Sequence, residues 1–364
     1  MSKARQLADL GNVYDDGALS NRNVIINGDM RISQRGSSFT VTNEYGLDRW
    51  FCRENTDGAL TFSQDSESPV GFSQSLKVNV DTADTSIAAG QFAYVAQRLE
   101  GYTIERFAFG GSDAKKITLS FYVRCSVTGK FGGAIVNGDN NNRSHAFTYD
   151  VNTADTWERK VITFDGDTTG TWNIDNSQEM AVIWSMGGGS NVKKAEGSWD
   201  GTSGVQSATE ATAELIQTAS ATWFMTGVQL ELGDTATAFE HRSYGDELAR
   251  CSRYAHVVKP EQAYGRYFGH YSEAGTSFLT FYEYPVEMRA LPTLTNNNIS
   301  SSTVNCYNFT DGAMKNPTGT FTLAEGSRRH AYMNINTSSG TGKSLGMWRW
   351  NNNPSSSLVF DAEL

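Results

Sequence analysis

The sequence is short of cysteine and of charged residues, and the use of both limits the class of protein. Its four cysteines are scattered singly among 364 residues and form no CxxC or Cys/His motif, so neither zinc nor redox chemistry is indicated. We expect buried free thiols at Cys52, Cys125, Cys251 and Cys306. Charged residues make up only 19%, and the net charge of -10 has the wrong sign for a nucleic-acid partner.

Long apolar runs are also missing. No stretch of about 20 apolar residues exists, and the first residues lack the apolar core of a signal peptide. We therefore predict that the protein does not insert into a membrane. We also predict that it is made in the cytoplasm and is not exported by a signal peptide.

Glycines and aromatics are abundant instead, with 35 Gly and 12% Phe, Trp and Tyr, a composition typical of β-strands joined by many turns. Apolar and polar residues alternate in most segments, as in ITLSFYVRCSV, where Ile117, Leu119 and Phe121 share one face. The pattern predicts an all-β protein. Its predicted parts are an N-terminal arm (1–22), a jelly-roll or galactose-binding-like β-sandwich (23–242), a short connecting helix (243–259) and a smaller C-terminal β-sandwich (260–364).

Two short helices are predicted outside the strands. Residues 2–10 form a marginal helix at the terminus, either a frayed end or an arm that becomes ordered against a partner. After Ser243 the period changes, because Leu248, Cys251 and Tyr254 recur at spacings of three. We expect this second helix to run to residue 257 and Pro260 to end it.

Four stretches resemble bacteriophage tail-fibre and receptor-binding proteins, especially those of marine phages with a carbohydrate-binding-module-like sandwich. They read KARQLADLGN (3–12), NVIINGDMRISQRGSSF with YGLDRWF (23–51), FMTGVQLELGDTATAFEHRSYGDELARCSRYAH (224–256) and YPVEMRALPTLT (284–295). The resemblance implies a homotrimer. The sequence itself does not predict one, since it contains no coiled-coil heptads. It also implies an arm that binds other virion proteins, a host surface glycan as ligand, and a location in the virion tail.

The same resemblance implies that the first and last strands of the sandwich adjoin, so we expect NVIINGDM to pair with GVQLELG as strands. It also implies a structural calcium ion near that edge, for which Asp29, Asp48 and Glu231 are the candidate ligands. Calcium takes six to eight oxygens, and no dense acidic run is present. The alternative is that these three carboxylates are solvated or salt-bridged.

Glycan binding in sandwiches uses aromatic faces with polar groups directed at hydroxyls. Trp172, Trp199 and Tyr271 are the candidate ligand-binding residues, although a subunit or interdomain contact would explain Tyr271 as well. Trp348 and Trp350 share one face of a strand, and we expect both in a core.

No catalytic motif is present. There is no GxSxG, no phosphate-binding loop and no β-helix repeat, while a carboxylate pair for glycoside hydrolysis is not readable from sequence. We expect non-enzymatic adhesion to a bacterial surface glycan, with no catalytic residue and no cofactor beyond the calcium. The alternatives are a structural virion protein (capsid fibre or decoration protein) and, third, a glycan-degrading tailspike.

Overall fold

The chain divides into two compact units in the computed structural model. The first contains residues up to Glu247 together with Leu364, and the second runs from Leu248 to Glu363. The structure describes residues 21–40, 43–138, 143–260, 265–272, 276–300, 302–310, 312–337, 343–351 and 356–364. The predicted helix at 2–10 and most of the arm lie outside these ranges.

The first unit is built from strands β1 to β14. They are β1 (Ser38–Thr40), β2 (Asn43–Tyr45), β3 (Trp50–Glu54), β4 (Ala59–Asp65), β5 (Ser75–Thr82), β6 (Phe92–Glu100), β7 (Ile117–Cys125), β8 (Gly129–Asn137), β9 (Ser144–Val151), β10 (Glu158–Phe164), β11 (Gln178–Gly188), β12 (Lys193–Lys194), β13 (Ser207–Ala208) and β14 (Thr222–Leu232). Helix α1 (Gly101–Ile104) and the 3₁₀ turns Glu105–Phe107, Ser190–Val192 and Leu215–Gln217 lie between them.

Twelve of these strands form the predicted sandwich of two antiparallel sheets, while β12 and β13 pair in parallel as a separate two-stranded sheet. The β14 sheet has the order β1-β4-β5-β14-β7-β10, and the β11 sheet has the order β2-β3-β6-β11-β8-β9. Their inner faces meet in one buried cluster, where the Phe121 ring of β7 packs edge-on against Trp184 of β11 at 5.6 Å. As predicted, Ile117, Leu119 and Phe121 are all fully buried on one face. Each such side chain contributes roughly 1.5–3 kcal/mol.

The entry segment Asn23–Met30 lies against β14, but the expected strand pairing is only partly right. The Val24 N–H donates to the Leu230 carbonyl (3.0 Å) and the Val228 N–H donates to the Gly28 carbonyl (2.9 Å). The segment is not a regular strand, because Asn27 and Met30 have positive φ angles of 57° and 60°. The approach at Gly28 is so close that a Cβ there would stand 2.2 Å from the Val228 oxygen, which only glycine permits.

The connecting helix is shorter than predicted. Helix α2 spans Tyr244–Ser252, and the Ser243 hydroxyl caps it by accepting the Asp246 N–H at 3.1 Å. Strand β15 (Ala255–Val258) then begins well before Pro260 and pairs with the last strand of the second unit. The predicted end at residue 257 was wrong, because this strand pairing overrides a weak helical period.

The second unit adds strands β15 to β24. After β15 these are β16 (Arg266–Ser272), β17 (Ser277–Glu283), β18 (Thr293–Asn297), β19 (Val304–Asn308), β20 (Ala313–Lys315), β21 (Thr322–Gly326), β22 (His330–Asn336), β23 (Ser344–Trp350) and β24 (Ser357–Asp361). They form a three-stranded sheet, β15-β24-β18, and a seven-stranded sheet, β20-β19-β23-β16-β17-β22-β21. Of YPVEMRALPTLT only the last three residues enter a strand, since Pro285 and Pro292 cannot donate to a ladder.

Both sheets of the second unit contribute to one core, which confirms the second sandwich. Trp348 of the larger sheet and Phe360 of the smaller belong to this cluster, and Trp348 and Trp350 are buried as predicted. The four cysteines are buried free thiols, again as predicted. None of the helices in the described ranges has the length and apolarity needed to cross a bilayer.

Candidate functional site

The structure brings Trp172 and Trp199 together, but as packed side chains. The two rings meet edge-to-face at 5.6 Å, and Phe109 contacts both. Both are half-buried against the core of the first unit. Both indole N–H groups donate hydrogen bonds within the protein. The Trp172 N–H donates to the Asp167 carboxylate (3.2 Å), and the Trp199 N–H donates to the Asp165 carbonyl (2.7 Å). Neither ring therefore stands out as a free platform.

A salt bridge fixes the polar side of this tryptophan pair. Arg143 donates to both carboxylate oxygens of Asp167, at 2.8 and 2.6 Å. Burial alone would raise the pKa of Asp167, but hydrogen bonds from Arg143, Thr169 and Trp172 outweigh it, so the pKa lies below its ordinary value. These contacts form a structural network around the two tryptophans.

Tyr271 lies in the second unit, on the outer face of the seven-stranded sheet. It is 42% exposed, and its register partner Leu345 is 62% exposed. Phe281 and Tyr332, which face each other across β17 and β22, are also exposed. We call these four residues the apolar sheet face. An apolar surface of this kind is typical of a protein contact as much as of a ligand site.

Two of the proposed calcium ligands have protein partners. Arg31 donates its Nε–H to Asp29, and Gln34 donates its backbone N–H (2.6 Å) and its amide N–H (2.5 Å) to Asp48. Both carboxylates are buried. The alternative reading, in which carboxylates of this kind are salt-bridged, describes Asp29.

The third carboxylate, Glu231, holds the chain that follows β14. It accepts the Thr237 N–H (2.9 Å) and hydroxyl (2.6 Å), and also the Gln229 amide (2.8 Å). Within the described ranges no three His, Cys, Asp or Glu residues gather into a group that could hold a metal ion. The structure thus does not assemble Asp29, Asp48 and Glu231 into one carboxylate site, and each accepts hydrogen bonds from donors of its own. The Oδ1 atom of Asp29 is buried and has no hydrogen-bond partner among the described residues. Calcium binding by this chain stays a prediction.

A different site emerges on the outer face of the β11 sheet, where small side chains leave a depression. Ile183 in the central strand pairs with Ala96 of β6 on one side and with Ala134 of β8 on the other. Two residues before Ile183, Ala181 of β11 pairs with Val136 of β8. These residues form a flat apolar floor outside the main core.

The wall on the β3 and β6 side consists of aromatic rings covered by guanidinium groups. Arg53 lies over the Phe92 ring at 5.0 Å, and Arg98 lies over the Phe51 ring at 3.7 Å. Phe92 in turn stacks on Tyr94 at 5.7 Å. Stacking on these rings restricts both planar cations.

The opposite wall is the segment 204–206, which precedes β13. It approaches β8 closely because Gly132 has no side chain, and a Cβ there would lie 2.0 Å from the Ser207 hydroxyl. The Gln206 Oε1 atom is buried here and has no hydrogen-bond partner in the part of the chain that the structure describes. An acceptor without a partner marks a place where a ligand hydroxyl or a water molecule can donate a hydrogen bond.

Together these parts enclose a cavity of about 280 Å³, which we call the sheet trough. This volume is near the lower end of the range of small-molecule sites, roughly 300–1,000 Å³. Its lining consists of Arg53, Tyr94, Ala96, Arg98, Val136, Asn137, Gly138, Gln178, Ala181, Ile183, Gly204, Val205 and Gln206.

Sequence reasoning missed the sheet trough. The alternation of Tyr94, Ala96 and Arg98 opposite the core positions of β6 was a readable signal for an outward face with a small residue between two large ones. The wall at 204–206, however, comes from a segment more than a hundred residues further along the chain, and only the tertiary structure places it there.

No family model matches this sequence, and no curated protein matches it. Solved structures similar to the chain include the enzymatically active domain of bacteriophage CBA120 tailspike protein 4 (11% identity, TM-score 0.31), where the match covers 58% of this chain and 22% of that one. Others are a family 11 carbohydrate-binding module from Clostridium thermocellum in complex with a β-1,3-1,4-mixed-linked tetrasaccharide (10%, 0.29, 56% of this chain and 98% of that one) and the N-terminal cellulose-binding domain of Cellulomonas fimi β-1,4-glucanase C (13%, 0.27, 56% and 99%). At identities and TM-scores this low, none of these similarities identifies a ligand or an activity for this chain.

Proposed function

We propose that the first unit is a glycan-binding module, and that the chain is a non-enzymatic receptor-binding protein of a phage tail fibre. The observation that carries the proposal is the sheet trough. It combines an apolar floor with planar polar side chains from Arg53, Gln178 and Gln206. Sugars offer both an apolar ring face and a rim of hydroxyls, and such a combination of groups matches them.

The test compares Gln178→Ala, which removes an amide from the trough, with Gln217→Ala, which removes an exposed amide elsewhere in the first unit. Purified protein is applied to a glycan array and to susceptible cells. Loss of one ligand hydrogen bond predicts about a tenfold weaker binding for Gln178→Ala and unchanged binding for Gln217→Ala. The unaltered protein is expected to block phage adsorption.

Three outcomes would redirect the proposal. A folded protein that binds neither glycans nor cells would favour a structural virion protein. Release of reducing sugar from host polysaccharide would favour a glycan-degrading tailspike. Equally weakened glycan binding in both glutamine variants would show that the binding site lies outside the sheet trough.

The proposal includes a homotrimer, and the apolar sheet face supports contact with further copies of this chain. At about half exposure, its four large side chains present on the order of 400 Å² of apolar surface, half of the roughly 800 Å² that each partner buries in a standard interface. Phe281→Lys should convert the trimer to a monomer in light scattering, because it would bury a charge in each contact. Val161→Lys, at an exposed apolar strand position of the first unit, is the control. A trimer that survives Phe281→Lys would refute this use of the face.

The last part of the proposal is location. The protein would be made in the host cytoplasm and assembled into the virion tail, with the arm at 1–22 binding other virion proteins. Deletion of this arm should abolish incorporation while leaving the sandwich folded, as judged by thermal unfolding. Antibody label on the capsid shell instead of the tail, seen by electron microscopy, would contradict the fibre assignment.

A further inference from the structure

The sheet trough is locally basic in an acidic protein. Its lining contains two arginines, and none of its described lining residues is Asp or Glu. The whole chain carries a net charge of -10. The net charge of the chain disfavours a negatively charged ligand, whereas the arginines of the trough attract one.

Arg53 supplies the more accessible of the two charges. It is an exposed side chain on the outward face of β3, and it is held over Phe92. In the part of the chain that the structure describes, its guanidinium has no carboxylate partner. The five N–H donors of a guanidinium form a planar fork that matches the two oxygens of a carboxylate.

Arg98 shows that the same wall already holds an oxygen acceptor. Its Nη1 donates to the main-chain oxygen of Leu364 (2.5 Å), and the Tyr45 hydroxyl donates to that oxygen as well (2.7 Å). Arg98 is thus committed in part to a partner within the protein. Arg53 is the group that we expect to contact a ligand directly.

The rest of the trough discriminates between kinds of anion. Gln206 places the buried, unpartnered Oε1 acceptor on the wall opposite Arg53 and Arg98. An acceptor needs a donor, which a sugar hydroxyl provides and a fully ionised anion such as sulfate does not. The apolar floor, which includes Ala181 and Ile183, suits a ring face.

We infer that the ligand of the sheet trough is an acidic glycan, one whose sugar rings carry a carboxylate, as uronic acids do. The inference rests on the proposed glycan-binding function and specifies its substrate class. Arg53 binds the carboxylate, the apolar floor contacts the ring, and Gln206 accepts a hydroxyl hydrogen bond.

The test uses matched ligands and matched variants. An array of uronic-acid, phosphorylated, sulfated and neutral oligosaccharides identifies the best binder. The affinity of the best-binding uronic-acid oligosaccharide is then compared by calorimetry with that of its carboxyl-reduced form. We expect the acidic form to bind about tenfold more tightly, to weaken with added salt, and to lose this advantage in Arg53→Gln. Arg124→Gln is the control, because Arg124 stacks over Phe224 at 5.1 Å on the outside of the β14 sheet.

The failure of this inference is distinguishable from failure of the proposed function. Equal affinity for the acid and its reduced form, with both weakened by Gln178→Ala, would overturn the acidic ligand and leave glycan binding in place. Preference for sulfated or phosphorylated sugars would overturn the carboxylate assignment. No binding to any glycan by folded protein would overturn both.

Discussion

The side chain of Asn23 makes three buried hydrogen bonds; two of them join the entry segment to the β14 sheet, and the third stays within the entry segment. Its Nδ2 donates to the Val228 carbonyl (2.9 Å), and its Oδ1 accepts the N–H groups of Ile25 (3.0 Å) and Leu230 (3.1 Å). Val228 lies where the β14 ladder shifts register, between Thr226 and Gln229, and Leu230 follows directly after this shift. The asparagine therefore replaces a stretch of regular strand pairing.

Replacing Asn23 by Ala leaves one buried carbonyl and two buried N–H groups without their partners. Each orphaned group costs about 1–3 kcal/mol, and relaxation with entry of water recovers part of this. We expect a loss of about 3–5 kcal/mol in the free energy of unfolding of the first unit. For a unit of this size, that lowers Tm by roughly 10 °C.

The assay is urea unfolding followed by tryptophan fluorescence, because buried Trp50, Trp184 and Trp223 all belong to the core of the first unit. Asn23→Asp keeps the acceptor oxygen but loses the donor, so its cost should be intermediate. Asn191→Ala removes an exposed asparagine and should cost less than about 0.5 kcal/mol. A loss below about 1 kcal/mol for Asn23→Ala would refute the view that this side chain pins the entry segment.

Further predictions concern acid stability and the second core. The pKa of Asp167 is lowered in the folded state, so its contribution to stability is present above the unfolded pKa of about 4 and is lost as the pH falls through the lower folded value. Urea midpoints measured from pH 5 to pH 2 should therefore fall less steeply in Asp167→Asn than in the unaltered chain, and an identical slope would contradict the argument. Trp348→Ala should cost about 3–5 kcal/mol in the second unit, measured by thermal unfolding, because it empties a fully buried site. The exposed change Thr293→Ala is its control, and equal costs would show that the cavity is not the cause.

Local pattern was sufficient for the core faces. Strict alternation in β7 identified Ile117, Leu119 and Phe121 as buried, because a strand places every second side chain on the same face. The same rule correctly placed Trp348 and Trp350 inside. It could not say that α2 stops at Ser252, because β15 exists only through pairing with a strand about a hundred residues further along.

The candidate site was less readable. The sequence singled out Trp172 and Trp199 as candidate ligand-binding rings, but the tertiary structure turns their indole N–H groups toward protein acceptors. Whether an aromatic ring is exposed depends on what packs over it, which composition does not encode.

Sequence by itself determined that this chain is all-β, that it divides into two sandwiches, and which residues fill their cores, since these features follow from a period of two and from turn residues near in sequence. Only the tertiary structure decided that Arg53, Gln178 and Gln206 share one trough and that Asp29, Asp48 and Glu231 do not share a site. The physical reason is that a binding site joins side chains from distant strands and a crossing segment. Their meeting depends on sheet order and on close approaches such as the one at Gly132, neither of which local periodicity specifies.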